Sequence, residues 1–501
     1  MKRALILLIT ILCWSATPAL AQFDSSEYRQ NTYGPPTHYC DPARSLSNPG
    51  AGTLANPWNL LQAMNLAVAG NVVGFLPGVG VRMPTTNNDN LPTFRPQNSG
   101  TASNRVVFVT RFAAVALPNV ATNPNRTELR HDGTRSVANG ASDIGTGSPM
   151  YGAYQVNYLT FDGFFVDMAQ AQPKADSGVI RVENATGTHF RNFEIKGTLT
   201  NMGSNPIIYR PQHAFDTVLS NFRAYDFQND TTNAVTQQRA HFSDQYGDQN
   251  FLIEHFELSN IQNGIFLKGT SNPLFNYGTI RYGIVRDTFQ CFRFNDLDPT
   301  RLTTLEYSVC HDVVGGGTGS GITLSSETTP VRNLLIHHMT IARMHSNEAI
   351  NGGIYAKRSI SNNVVIRDNI FEMDNGPNGY GMSFGEVSTL PATLDFNGYS
   401  KNGATVRFAF NGVDLSSITA WRTATGRDTN SQILGAGLFV NRAAADFRVA
   451  PGHPAMTASS TGGQLGAYAA PAGVTIGVVV EDSDTPFAPT GLRIVGTPPG
   501  Q

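Results

Sequence analysis

Two basic side chains in the middle of the sequence are of types that can act on a carbon next to a carboxylate. Lys268 and Arg293 each belong to a short alternating segment, 264–268 and 291–295. Cleaving a uronate polymer by β-elimination requires a base near the proton alpha to the carboxylate, and a cation that neutralises that carboxylate. A lysine acts as a base only when neutral, and a neighbouring cation favours the neutral form. Lys268 is therefore the candidate base and Arg293 the candidate neutralising group.

Further polar and aromatic side chains follow the same strand position from one segment to the next. One outward column is expected to contain His241 (aligned only approximately), Phe266, Arg293, Thr323 and Tyr355. The adjacent column is expected to contain Ser243, Lys268, Asn295, Ser325 and Lys357, and Arg210 lies further along the same face. Arginine pairs with carboxylate or sulfate, and aromatic rings offer flat surfaces to sugars. The candidate substrate-binding residues are Arg210, His241, Phe266, Tyr355 and Lys357. In the alternative interpretation, these lysines and arginines are ordinary exposed strand residues that keep the sheet edge in contact with water and have no role in binding.

An oxygen-rich cluster follows Arg293. Asn295, Asp296 and Asp298 are hard ligands of the kind that Ca²⁺ prefers. An Asp-Pro turn leading out of the strand explains the same residues and is the favoured interpretation. Calcium remains a candidate cofactor.

These residues occupy a repeat, which indicates the elements that position them. A six-residue pattern with apolar first and last positions occurs eight times, with 25 to 34 residues between successive starts. The copies are 161–166, 190–195, 219–224, 253–258, 280–285, 305–310, 336–341 and 366–371. This spacing is typical of a solenoid. The second set of strands, in phase with the first, places pairs such as Ile265 and Leu267 on one face, where they would stack into interior ladders.

The repeat favours a parallel β-helix over the other repeat architectures. A leucine-rich repeat would show a helical period in each unit, and a propeller would show longer blades with Trp-Asp signatures. The composition agrees with an all-β chain, since it has 49 Gly and only 14% charged residues. The net charge of −2 gives no sign of attraction to nucleic acid or to an anionic membrane.

The N-terminus predicts export. Met1, Lys2 and Arg3 precede a short apolar run, and 19–21 gives a small-x-small cleavage pattern. We expect cleavage near Ala21 and a secreted or periplasmic monomer without membrane insertion. Three cysteines remain after cleavage. One bridge is possible, but Cys291 and Cys310 are interpreted as buried apolar side chains rather than as a pair.

The predicted organisation has four parts. Residues 1–21 are the signal peptide, and 22–95 contain an N-terminal capping helix near 58–68 and the first coils. Residues 96–470 form the β-helix with an irregular C-terminal cap, and 471–501 form a Pro-rich tail.

Several phrases resemble those of bacterial right-handed parallel β-helix proteins of the pectate-lyase-like superfamily. They are 39–42, 57–63 and 76–78 near the start, 253–254 and 264–269 in the middle, and 439–441, 446–448 and 451–455 near the end. The resemblance covers 37–470 and implies a right-handed parallel β-helix. It implies no single activity, because one fold carries several chemistries.

This chain also departs from two branches of that superfamily. The paired glutamates that precede the lysine in chondroitinase- and alginate-lyase-like members are missing before Lys268, and so is the paired-aspartate signature of polygalacturonase-like hydrolases. Two hypotheses follow. The first is a lyase acting on an acidic, uronate-containing polysaccharide, with an epimerase as a variant. The second is a non-catalytic carbohydrate-binding or surface-interaction protein.

Overall fold

The computed structural model describes most of the repeat region and its C-terminal extension. The described residues are 33–76, 78–81, 94, 96–110, 127–130, 151–167, 178–197, 207–227, 241–268, 275–295, 297–314, 319–325, 331–345, 352–356, 360, 363–374, 379–385, 389–401 and 404–478. The predicted signal peptide, Asp296 and Lys357 therefore lie outside the described residues.

The described α-helices are α1 (Leu60–Leu66) and α2 (Ile418–Thr425), with 3₁₀ turns at Pro454–Met456 and Ala467–Ala469. The strands of the first half are β1 (His38–Cys40), β2 (Val72–Phe75), β3 (Gly78–Val81), β4 (Val106–Thr110), β5 (Thr127–Arg130), β6 (Tyr151–Tyr154), β7 (Leu159–Asp162), β8 (Phe165–Asp167), β9 (Gly178–Glu183), β10 (His189–Lys196), β11 (Ile207–Gln212), β12 (Val218–Tyr225), β13 (His241–Gln245), β14 (Gln249–Leu267) and β15 (Tyr277–Phe294). The strands of the second half are β16 (Thr303–Glu306), β17 (Val309–Val314), β18 (Ser320–Leu324), β19 (Leu334–His337), β20 (Thr340–His345), β21 (Gly352–Ala356), β22 (Val365–Arg367), β23 (Ile370–Met373), β24 (Tyr380–Phe384), β25 (Thr393–Asp395), β26 (Gly398–Ser400), β27 (Arg407–Phe410), β28 (Val413–Leu415), β29 (Gln432–Ile433), β30 (Phe439–Asn441) and β31 (Asp446–Val449).

Apart from β28, β30 and β31, which pair antiparallel, these strands form three parallel ladders, so the predicted parallel β-helix is confirmed. Each ladder takes one strand segment from each successive coil of the chain. Sheet 1 contains β1, β2, β4, β7, the first parts of β10, β12, β14 and β15, then β16, β19, β22 and β25. Sheet 2 contains β3, β5, β8, later parts of β10, β12, β14 and β15, then β17, β20, β23, β26 and β29. Sheet 3 contains β6, β9, β11, β13, the last parts of β14 and β15, then β18, β21, β24 and β27.

The interior is built from like residues stacked coil upon coil. The first apolar position of the repeat forms one ladder of fully buried side chains, Ile253, Ile280, Leu305, Ile336 and Ile366. Aromatic rings stack in the same way: the ring centroids of Phe193 and Phe222 are 4.7 Å apart, with an interplanar angle of 2°. Each such side chain stabilises the fold by about 1.5–3 kcal/mol when it leaves water.

The N-terminal capping helix is α1. Asn59 caps it, since its side chain accepts from the backbone N–H of Gln62 while the Gln62 side chain accepts from the Asn59 backbone. Leu60, Ala63 and Met64 are buried against the first coils. The helix therefore covers the apolar end of the stack, which would otherwise expose an open edge.

The C-terminal part of the chain covers two surfaces. Helix α2 closes the last coil, where the fully buried Trp421 stacks on Phe408 with ring centroids 5.3 Å apart. Residues 434–478, which we call the strap, then run back along the outer face of sheet 2. The strap begins with the Leu434 amide donating to Tyr399 and reaches the Gly477 amide donating to Tyr282, at 2.7 and 2.8 Å.

The surface under the strap is apolar, which explains why the strap binds there. The outward column of sheet 2 changes from Glu194, Arg223 and Glu257 to Ile284, Val309, Thr340, Ile370 and Gly398. The strap buries Leu434, Phe447, Leu465 and Ile476 against this surface. The residues at the start of the predicted tail, 471–478, belong to the strap.

The interpretation of the cysteines was wrong. Cys291 and Cys310 form a disulfide with their Cα atoms 6.0 Å apart, and Cys40 is a buried free thiol. Cys291 lies on the sheet 3 segment of β15, and Cys310 lies on sheet 2 in the following coil. Their spacing in the sequence gave no sign of this proximity, because it depends on how the chain turns between two sheets.

Candidate functional site

The outward column of sheet 3 contains four of the predicted site residues in register, Arg210, Phe266, Arg293 and Tyr355. Arg210 pairs with Arg181 on one side and, through the pairing of Tyr209 with Ser243, lies next to Asp244. Asp244, Phe266, Arg293, Thr323, Tyr355 and Ser383 continue the column. The predicted alignment of Phe266, Arg293, Thr323 and Tyr355 is therefore confirmed.

The alignment of His241 with this column was wrong. His241 pairs with Asn263, three positions before Phe266, and its Nε2 lies 3.2 Å from the Asn263 side-chain nitrogen. Its ring still approaches Phe266, with the centroids 6.3 Å apart. The error arose because β13 begins earlier relative to its neighbour than the sequence pattern indicated.

The second outward column also needed one correction. Ser243 pairs with the interior residue Ile265 and is fully buried, so it does not precede Lys268 in this column. Tyr246 takes that place, since Gln245 pairs with Leu267. Tyr246 was not among the predicted site residues. An aromatic residue directly before a turn glycine, Gly247 with φ of 74°, was the available signal.

Three cationic side chains surround two aromatic rings on this face. The Arg293 guanidinium carbon lies 4.4 Å from the centroid of the Phe266 ring, and Lys268 Nζ lies 6.0 Å from the same centroid. Lys268 Nζ is also 5.3 Å from the centroid of Tyr246, and the guanidinium carbon of Arg210 lies 5.5 Å from it. These are distances at which cation–π attraction operates. We call Arg210, Tyr246, Phe266, Lys268 and Arg293 the cation–aromatic strip.

Part of the outward column of sheet 3 is shielded from water. Phe266 points away from the interior yet is only 4% exposed, and Thr323 in the same column is 3% exposed. Arg293 is held further by its Nε, which donates to the hydroxyl of Ser325 at 3.3 Å. Tyr355 is partly covered, and this burial raises the pKa of its phenol. Reduced contact with water strengthens electrostatic interactions between this face and a bound anion.

A buried amide fixes the backbone at Lys268. The side-chain nitrogen of Asn276 donates to the carbonyl oxygens of Lys268 and Gln245, at 3.1 and 3.0 Å. Its side-chain oxygen accepts from the amide of Asp248 at 2.8 Å. The Asp248 carboxyl is fully buried and accepts from the Thr217 hydroxyl at 2.9 Å; burial raises its pKa to about 7. This buried hydrogen-bond network fixes the backbone at Lys268, directly after the end of β14.

Of the candidate calcium ligands, Asn295 and Asp298 lie within the described residues, and Asp298 stabilises a turn. Oδ1 of Asp298 accepts from the Thr300 amide, the Thr300 hydroxyl and the Arg301 amide, at 2.8 to 2.9 Å. Oδ1 of Asn295 accepts from the Ser325 hydroxyl at 3.2 Å. Within the described part of the chain, no group of three or more His, Cys, Asp or Glu side chains is placed to hold a metal ion. The calcium site remains a prediction, and the favoured turn interpretation accounts for Asp298.

No protein-family model matches this sequence, and no curated protein matches it. Solved structures do resemble it. Pectate lyase Pel9A is 14% identical over 87% of this chain and 97% of its own, with a TM-score of 0.44. A rhamnogalacturonan lyase is 15% identical over 67% of this chain and 87% of its own, with a TM-score of 0.40.

A third similar structure is the lacto-N-biosidase from Eubacterium ramulus. It is 12% identical over 73% of this chain and 64% of its own, with a TM-score of 0.38. Likenesses this weak concern the fold alone and say nothing about activity. The fold of this chain follows from its own strand pairing.

Proposed function

We propose that this protein is a secreted lyase that cleaves an acidic, uronate-containing polysaccharide by β-elimination along the cation–aromatic strip. One observation carries the proposal. The Lys268 amine and the Arg293 guanidinium, whose chemistry suits a base and a neutralising cation, both lie within about 6 Å of the centroid of the Phe266 ring. A base and a neutralising cation must act on neighbouring atoms of one sugar, and their placement on one ring is consistent with that requirement.

The chemistry assigns one role to each cation. Arg293 pairs with the sugar carboxylate, which makes the adjacent C–H more acidic because negative charge develops on the carboxylate oxygens. Neutral Lys268 accepts that proton at Nζ. The C–H electron pair then forms a carbon–carbon double bond, and the glycosidic oxygen leaves with the electrons of the broken bond and takes up a proton.

The other members of the strip serve binding. Arg210 supplies a second guanidinium for the next acidic group along the polymer, and Tyr246 supplies a flat face between Arg210 and Lys268. Adjacent coils are spaced by about 4.8 Å, which is close to the length of one sugar ring. A polymer lying along the stack therefore meets one coil for each residue, approximately. His241, Tyr355 and Lys357 remain proposed contacts.

The test is an ultraviolet absorbance assay for the new conjugated double bond, on pectate, alginate and glycosaminoglycans, with and without Ca²⁺. Lys268→Ala should abolish turnover with little effect on thermal stability. Lys196→Ala, on sheet 2, is the matched control and should retain full activity. Activity that survives in Lys268→Ala would disprove the assignment of the base.

A non-catalytic role is the other candidate, and the covering of Phe266 by Arg293 favours it, since this gives a flat, charged platform suited to binding alone. If no polymer yields unsaturated ends while the wild type still binds one in affinity electrophoresis, the strip is a binding platform. The same preparation tests export and monomeric state, by N-terminal sequencing for a start near Gln22 and by light scattering for mass. Among the described residues, no helix is long and apolar enough to cross a membrane.

A further inference from the structure

A column of charged side chains runs along the outer face of sheet 1, away from the cation–aromatic strip. Its members are Asp162, Arg191, Ser220, Glu254, Arg281, Glu306, His337, Arg367 and Asp395. Three of its basic side chains have carboxylate partners. Arg281 donates twice to Glu254 at 2.9 and 2.8 Å, His337 Nε2 lies 2.9 Å from Glu306, and Arg367 lies 2.7 Å from Asp368.

Arg191 differs from the other cations of this column. Its Nε is buried and has no hydrogen-bond partner in the structure. The carboxylate next to it in register, Asp162, accepts instead from the Tyr33 hydroxyl and the Asn192 amide, at 2.8 and 2.7 Å. Among the described residues, no acidic side chain forms an ion pair with Arg191. The Arg191 guanidinium is therefore partly withdrawn from water without an ion-pair partner among the described residues.

A second guanidinium, that of Arg105, lies in the same place. Its Nε donates to the Thr160 hydroxyl at 2.7 Å, and its terminal nitrogen donates to the carbonyl oxygens of Leu159, at 2.6 Å, and Gly187. These acceptors are neutral, so the charge of Arg105 is not balanced by them. Burial and the charge of Arg191 together lower the pKa of Arg105 to about 10.

The charges of both guanidinium groups act on the imidazole of His189. It pairs in register with Thr160, which holds Arg105, and it precedes Arg191 by two positions on the same face of β10. Burial and then the charges of Arg105 and Arg191 lower the pKa of His189 to about 3. The imidazole is therefore neutral at neutral pH. An anion bound to the two arginines would offset their charges and so raise the pKa of His189, which makes this pKa a probe of binding.

We propose that Arg105, His189 and Arg191 form a binding site for an oxyanion group of a glycan, either a sulfate ester or a carboxylate. Two neighbouring guanidinium groups that form no ion pair among the described residues repel each other, and a bound anion offsets that repulsion. Their planar N–H donors match the oxygens of sulfate and carboxylate. The site lies on sheet 1, so it stands or fails independently of catalysis on sheet 3.

The experiment uses the full mature chain and measures two quantities at constant ionic strength. The first is the unfolding temperature as chloride is replaced by sulfate or by acetate. The second is the pKa of His189, from nitrogen-15 NMR of labelled histidine. A specific site gives a saturable rise in the unfolding temperature and an upward shift of the His189 pKa. The general stabilisation by sulfate does not saturate at low concentration.

Two variants with the same substitution make the test specific. Arg191→Gln should weaken the saturable response at least about tenfold, which is the loss of one charge-assisted pair. It should not lower the unfolding temperature without ligand, because it removes repulsion. Arg281→Gln, in the same column but paired with Glu254, should keep the response.

The two anions distinguish the source of the ligand. A stronger response to sulfate identifies a sulfate ester, and a stronger response to acetate identifies a carboxylate. The proposal is overturned if Arg191→Gln responds as the wild type does, or if neither anion moves the pKa of His189. Loss of lyase activity in Lys268→Ala leaves this result unchanged.

Discussion

Arg293 lies over the ring of Phe266, its register partner on the preceding coil, with the guanidinium carbon 4.4 Å from the ring centroid. The contact orients the guanidinium, and the Ser325 hydroxyl restricts it from the other side. A cation held in this way loses less conformational entropy when it pairs with a carboxylate. The ring is thus part of how the arginine is positioned.

Replacing Phe266 by leucine should weaken polysaccharide binding about tenfold, because the flat support of both Arg293 and Lys268 is lost. The change in unfolding free energy should stay below about 1.5 kcal/mol, since the volume is nearly kept. Tyr380→Leu is the control: Tyr380 is also an aromatic residue of sheet 3 under an arginine, Arg407, at 5.1 Å. Equal loss of binding in both variants, measured by affinity electrophoresis, would contradict a local role of Phe266.

The buried Asp248 should make stability depend on pH. Its folded pKa of about 7 lies above the ordinary aspartate value of 3.8, so the folded state binds more protons between these values. The contribution to stability is complete below about pH 4 and is lost as the pH rises to about 7, with a slope of at most about 1.4 kcal/mol per pH unit.

Asp248→Asn should remove this component and unfold at a higher temperature than the wild type at pH 8, roughly one unit above the folded pKa. Denaturation curves collected from acid to alkaline pH check it. Asp216→Asn removes a neighbouring negative charge that raises the pKa of Asp248, so it should lower that pKa but keep most of the pH dependence. A wild-type and an Asp248→Asn profile that run parallel over the whole range would refute the prediction.

Removal of the disulfide should destabilise the middle of the solenoid. Cys291 and Cys310 are 19 residues apart, and closing a loop of this size stabilises a protein by about 3 kcal/mol. The double variant with alanine at both positions should lose about this much, and a reductant should then have no further effect on it. Cys40→Ala should behave like the wild type towards reductant. An unfolding midpoint of the wild type that does not change under reduction would argue against the bridge.

Trp421 should be essential to the closed end of the solenoid. Its ring is fully buried, and its Nε1 donates to Asp428 at 2.7 Å, so Trp421→Ala should cost about 3–5 kcal/mol. Trp421→Phe keeps most of the packing but removes the donor, and should cost about 1–3 kcal/mol. Light scattering should rise only for the alanine variant, because an open strand edge promotes association. Equal stability of the two variants would mean that α2 does not cap the stack.

The sequence predicted what depends on short-range periodicity. The ladder from Ile253 to Ile366 could be read from spacing alone, because every coil must bury the same position. The alignment of Arg293 with Tyr355 followed from the same rule. His241 was misplaced because nothing in the pattern marks where β13 starts relative to β14.

What the sequence did not predict depends on contacts between distant parts of the chain. The disulfide joins two sheets, and Tyr246 enters the site only because a turn brings it beside Lys268. The strap has no repeat of its own, so its path along sheet 2 could not be inferred. The strap packs on the outward column of sheet 2, which includes Ile284 and Ile370. These apolar residues can be seen in the sequence, but nothing there indicates which segment covers them.

The strap also changes how this solenoid is expected to unfold. A stack in which each coil contacts only its neighbours can unzip from either end, one unit at a time. Here the strap is bonded to the coil of Tyr399 at one end and to the coil of Tyr282 at the other. Opening any coil between them breaks contacts that belong to the whole span. We therefore expect these coils to melt together as one cooperative block, while the coils before residue 250 fray independently.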